Sequence, residues 1–115
     1  MRLQLYGLKN CDTCKKAMKW LEAEDIPFEF VDIRDNTPEV ATITGWLADV
    51  GPDALINRRS TTWRNLDETT REQLDSTQAA ETLGANPTLI KRPVLVGAGP
   101  TLSGFDQKAW ASVLI

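Results

Sequence analysis

Within the first 33 residues the spacing of apolar side chains changes period twice. Leu3, Leu5 and Tyr6 form a short extended run, Cys14, Ala17, Met18 and Leu21 recur at three- and four-residue steps, and Phe28, Phe30, Val31 and Ile33 return to strand-like spacing. A strand, a helix and a strand in that order predict a βαβ unit, whose crossover is right-handed and lays the helix on one face of a parallel pair. The loop from Gly7 to Asn10 then leaves the carboxyl end of the first strand, the edge of an α/β sheet where ligands collect. Cys11 and Cys14, the chain's two cysteines, fall at the start of the helix.

Further along, Thr37, Pro38 and Glu39 predict a helix start, and Val40, Ile43, Leu47 and Val50 an apolar stripe that Gly51-Pro52 stops. Residues 53–83 read as short helices and turns. Asp67 and Ser76 or Thr77 are candidate caps there, with Gly84 and Pro87 as terminators. After Arg92-Pro93, residues 94–96 read as a strand, 97–100 as a turn and 101–103 as the partner strand. Asp106 is placed to cap a last helix carrying Ala109, Trp110 and Val113 inward. A parallel crossover first and a hairpin last is the order of a thioredoxin-like, four-stranded mixed sheet. One domain over residues 1–115 is predicted, with a helical insertion over about residues 36–88.

Composition excludes several partners. The net charge is −3 and no basic block reaches five residues, the densest pairs being Lys15-Lys16 and Arg58-Arg59, so phosphate backbones are not expected as partners. The four tryptophans are scattered, which suits packing better than a stacking platform for bases, and Gly97-Ala98-Gly99 is a turn signal rather than a nucleotide cradle. No membrane span or signal peptide is read in the sequence. A cytoplasmic, reducing location is the expectation, and there a CxxC pair reads as redox or metal chemistry rather than as a permanent disulfide. Zinc wants four ligands, mostly Cys or His, and with two thiols and no histidine the chain is expected to hold no metal and no tightly bound cofactor.

Cys11 is the first nucleophile candidate, because a sulfur at a helix start meets unpaired N–H groups and the positive end of the helix dipole. Without a histidine, cations must help: Lys9, Lys15, Lys16 or an arginine from elsewhere. The carboxylate of Asp12 acts against them. Cys14, one turn on, is placed to resolve a mixed disulfide on Cys11, or else to pack as a small apolar residue. Arg59, Arg64 and Arg92 offer guanidinium forks for an oxyanion or carboxylate, and Arg92, beside the proline that opens a strand, is the strongest of the three. Asn10 and Lys15 complete the candidate substrate-binding set.

The segments LYGLKNCDTCKKAMKWLE, NRRSTTWRNLDE and IKRPVLV followed by LSGFD resemble, in this order, the arsenate reductase (ArsC) family, most nearly its YffB-like branch, with the Spx redox regulators as further relatives. The resemblance implies a catalytic Cys11, a cis-proline at Pro93, and Arg59 and Arg92 as ligands of an oxyanion or of glutathione. Two departures stand out. Arsenate reductases carry a third arginine where this chain has Ser103-Gly104, and a histidine where it has Gly7-Leu8. Weaker arsenate binding follows. The expected function is a small thiol oxidoreductase with glutathione as co-substrate, glutaredoxin or thioredoxin as candidate partners, and a monomeric state. The alternatives are an Spx-like regulator that binds RNA polymerase, or an arsenate reductase.

Overall fold

The alternation that opens the sequence becomes β1 (Leu3–Gly7), buried and half-buried by turns, in a computed structural model that describes residues 3–115. β2 (Phe28–Asp32) runs parallel to it, with Leu3 opposite Phe28 and Gly7 opposite Asp32. β3 (Val94–Val96) lies antiparallel on the other side of β1, and β4 (Leu102–Ser103) antiparallel to β3, giving the order β2-β1-β3-β4. One parallel and two antiparallel pairings, with a helix crossing from β1 to β2, make the expected thioredoxin-like mixed sheet. The chain divides into two compact units, one formed by the chain up to Ile33 together with Arg92–Ile115, the other by Arg34–Lys91.

The crossover is α1 (Asp12–Ala23), composed mainly of good helix formers, with Cys14, Ala17 and Leu21 on its buried stripe. Its end is chemically defined. Asp25 takes a left-handed conformation (φ 57°), so that its N–H reaches Glu22 C=O at 3.1 Å and Ile26 N–H reaches Leu21 C=O at 2.9 Å. That is a Schellman closure with aspartate in place of the usual glycine, and Pro27 follows it. Leu3, Leu5, Ala17, Leu21, Leu95 and Trp110 form the core of this unit; burying a side chain of that size contributes about 1.5–3 kcal/mol.

The last helix, α7 (Gln107–Leu114), starts as the sequence indicates. Asp106 accepts from the N–H groups of Lys108 at 3.0 Å and Ala109 at 3.3 Å. Trp110 is 1% exposed, stands edge-on to Phe105 and Trp20, and donates its indole N–H to Gly104 C=O at 3.0 Å. Of the three residues expected to face inward, Trp110 does so, Val113 is half-buried and Ala109 is exposed. The large indole decides the roll of a two-turn helix.

The Arg34–Lys91 unit is helical. α2 (Val40–Val50) is followed by α3 (Pro52–Leu55), α4 (Thr61–Arg64), α5 (Glu68–Leu74), α6 (Ala79–Ala85) and a single 3₁₀ turn, Pro87–Leu89. Its buried centre takes Ile43, Trp46, Leu55, Leu74 and Leu83. The stripe read along α2 shifts accordingly: Trp46 goes inside and Val40 is 44% exposed. Asp67 caps α5 by accepting from Thr70 N–H at 2.8 Å. Ser76 does not cap α6; it accepts from Gln78 N–H in the preceding turn, and Gln78 occupies the cap position. Gly84 does not end α6 but lies inside it, facing Ile43 and Val40 of α2, and Asn86 closes the helix. Two guanidiniums lie against the Trp63 ring, Arg58 at 5.6 Å and Arg71 at 5.3 Å from its centre. Arg58 also pairs with Asp53 and Asp75, and Arg71 donates to the C=O groups of Trp63 and Arg64.

Candidate functional site

Cys11 occupies the N-cap of α1 in extended conformation (φ −98°, ψ 119°). Two backbone bonds hold it there: its N–H donates to Leu8 C=O at 3.3 Å, and its C=O accepts from Lys15 N–H at 3.0 Å. Its sulfur lies by the first turn of the helix, where the Cys14 N–H favours its anion without forming a side-chain capping hydrogen bond. The Cys14 thiol also donates to it, and the Arg92 guanidinium faces it as both hydrogen-bond donor and charge. Partial burial of Cys11 opposes ionisation, yet these donors and this cation outweigh it and hold the thiol below its ordinary value.

Cys14 is in the opposite state. It is 0% exposed on the inner face of α1. Burial, together with the charge and hydrogen bonding of Cys11, pushes its thiol up to about 12 against the weaker pull of Leu8 N–H and Arg92. The pair is thus divided into one sulfur that readily becomes an anion and one that keeps its proton and donates it. Of the cations considered, the one acting on Cys11 is Arg92. Lys9, Lys15 and Lys16 are exposed, and Lys15 contributes through its backbone N–H.

Arg92 precedes Pro93 through a cis peptide bond, as the family resemblance implies. Pro93 is buried, and its C=O accepts from Gly104 N–H at 2.8 Å, which ties the bend to the β3–β4 hairpin. The β-sheet unit therefore brings together Cys11, Cys14, Arg92 and Pro93, with Asn10 exposed in the turn between β1 and α1. Arg59 belongs to the helical unit. It is exposed there, and its N–H bonds Asn57 Oδ1 at 3.1 Å in the turn before α4. Among the described residues no three His, Cys, Asp or Glu side chains converge as a metal site, and no helix is long and apolar enough to cross a membrane.

One residue of the site escaped the sequence reading. Gly7, the last residue of β1, leaves open the space beside Cys14: a Cβ there would lie 2.6 Å from the Cys14 sulfur. A glycine ending a strand four residues before a CxxC is a visible signal, but its meaning depends on a distance.

Comparison with known proteins agrees with this architecture. The family model for "ArsC family" matches residues 6–113. An uncharacterized protein of Haemophilus influenzae is 45% identical over 94% of this chain and 95% of its own. The structure of a protein titled YffB is 40% identical, with a TM-score of 0.92 over 98% of this chain and 99% of its own. The global transcriptional regulator Spx of Listeria innocua is 29% identical over 90% of this chain and 79% of its own length. With the family pattern running from the end of β1 through the thiol turn, β2, the helical unit and the hairpin, this chain belongs to the ArsC family.

Proposed function

We propose that the protein is a thiol oxidoreductase in which the Cys11 thiolate attacks a disulfide and glutathione supplies the reducing equivalents. The observation that carries this reading is the division of the sulfur pair, with Cys11 held toward its anion by a helix N-terminus, a neighbouring thiol and Arg92. The thiolate is the nucleophilic form. Cys11 Sγ attacks one sulfur of the substrate, a new S–S bond forms, the old one breaks, and the departing thiolate takes a proton from solvent. A glutathione thiolate then attacks the Cys11 sulfur and releases the second substrate thiol. A second glutathione regenerates the Cys11 thiolate and leaves as glutathione disulfide.

Cys14 is the slower resolving group. It must lose its proton before it can attack, and while Cys11 is tied up in a mixed disulfide the opposing anion is gone but the burial remains. Its steady contribution is as hydrogen-bond donor. Arg92, which faces the Cys11 sulfur, provides a guanidinium fork suited to a carboxylate of glutathione. The substituted positions at Gly7 and Ser103-Gly104 favour a disulfide over the multiply charged arsenate, and a cytoplasmic, monomeric protein working beside glutaredoxin or thioredoxin fits this chemistry.

Exposure to stoichiometric glutathione disulfide followed by intact-mass and peptide analysis tests the assignment. Wild type and Cys14→Ser should carry one glutathione on Cys11, and Cys11→Ser none. Modification of Cys14 first, or of Cys11→Ser, would overturn it. Likeness to Spx supports a second reading, a redox-dependent regulator that binds RNA polymerase. Capture of polymerase that differs between reduced and oxidised protein, without glutathione-coupled turnover, would favour that reading.

A further inference from the structure

The thiol pair depends on an absence. Gly7 is buried at the carboxyl end of β1, and an added Cβ would stand 2.6 Å from Cys14 Sγ, 3.4 Å from Cys14 Cβ and 3.7 Å from Phe30 Cε1. The first distance is far inside van der Waals contact, and the atom it meets is a sulfur enclosed on the buried face of α1 rather than the free end of a flexible chain. The strand has little room to retreat. Gly7 pairs with Asp32 across the parallel ladder, and its C=O accepts from Ile33 N–H at 3.0 Å. The next residue, Leu8, continues the enclosure: its N–H faces the Cys14 sulfur and its C=O holds Cys11 N–H.

We propose that Gly7 is a positioning residue for the thiol pair: its missing side chain seats the Cys14 sulfur where its thiol meets the sulfur of Cys11. This deepens the proposed function and rests on it, since the consequence is read at Cys11. A methyl group at position 7 displaces the Cys14 sulfur and draws its thiol away from Cys11. The other groups that favour the anion, the Cys14 N–H in the backbone of α1 and Arg92 from the segment before β3, are untouched by the change. Gly7 acts through Cys14.

The experiment compares wild type, Gly7→Ala, Cys14→Ala and the double variant Gly7→Ala/Cys14→Ala by the pH profile of Cys11 alkylation and by urea unfolding. Below the wild-type midpoint, Gly7→Ala should slow alkylation by at least about threefold, Cys14→Ala should slow it too, and the double variant should be no slower than Cys14→Ala. Gly7→Ala should lose stability with Cys14 present but not in the Cys14→Ala background, where alanine in a strand is otherwise no worse than glycine. Should Gly7→Ala fail to fold while the double variant folds, the collision with the sulfur is demonstrated directly.

A Gly7→Ala profile identical to wild type would overturn the proposal. So would an equal effect of Gly7→Ala in the Cys14→Ala background, or a double variant that also fails to fold. If wild-type Cys11 alkylates no faster than a denatured thiol, the proposed function falls, while the unfolding comparison still decides whether Gly7 seats the sulfur.

Discussion

Replacing Arg92 by alanine separates ionisation of Cys11 from access to it. The guanidinium faces the Cys11 sulfur as donor and as charge, and a hydrogen bond to a charged group contributes about 1.5–3 kcal/mol. Cys11 is only half-buried, so solvent screens part of this and about 1 kcal/mol survives. One pKa unit corresponds to about 1.36 kcal/mol, so Arg92→Ala should slow alkylation by about fivefold wherever wild-type Cys11 is mostly protonated. The sign follows from the charge: loss of a cation disfavours the anion. At pH high enough to ionise both proteins the two rates converge or cross, because the more basic thiolate is the better nucleophile. Arg92→Lys keeps the charge without the planar fork and should fall between. The assay is iodoacetamide alkylation of Cys11, followed by mass across the pH range, with circular dichroism to confirm the fold. A rate ratio that stays constant across all pH values would mean that Arg92 governs access, and the electrostatic reasoning would fail.

Cys14 should leave a mark on alkaline stability. Its folded value of about 12 lies above the ordinary 9.0, so the native state keeps a proton that the unfolded chain releases. Stability should therefore fall as pH rises from 9 toward 12, and urea midpoints of Cys14→Ala should fall less steeply over that range. Asp106→Ala should cost about 1 kcal/mol through loss of the α7 cap, and Asp106→Asn much less, because an amide oxygen can still accept; equal losses in urea unfolding would contradict the capping role. Arg71→Ala should destabilise the protein by about 1–2 kcal/mol through its bonds to the carbonyls that end α4. Arg71→Lys should recover less than half of that, and full recovery would show that charge alone suffices.

The parts of this protein that could be read from its sequence are those set by local chemistry. The periods along residues 3–33 demand a crossover whatever else is present, and Asp67 and Asp106 announce their helices because a short carboxylate before a helix start has a backbone N–H to accept. The cis bond before Pro93 came from family resemblance, not from spacing. What could not be read depends on distance or on competition for burial. Arg59, Arg64 and Arg92 look alike in sequence, and only the fold places Arg92 beside the sulfur. Gly84 resembles a helix terminator but serves as a close-packing residue against α2. Val40 and Ala109 lost inward positions to Trp46 and Trp110, whose larger surfaces repay burial more.

The flanks of the four-stranded sheet discourage recruitment by foreign chains. One border is β4, a stub of two residues, and the other is β2, five residues long with Glu29 and Asp32 along it. A stranger strand laid on the first finds almost no ladder, and on the second it meets carboxylates at intervals. The two strands that supply buried side chains, β1 and β3, are confined to the interior of the sheet, with β2 and β4 covering their free edges.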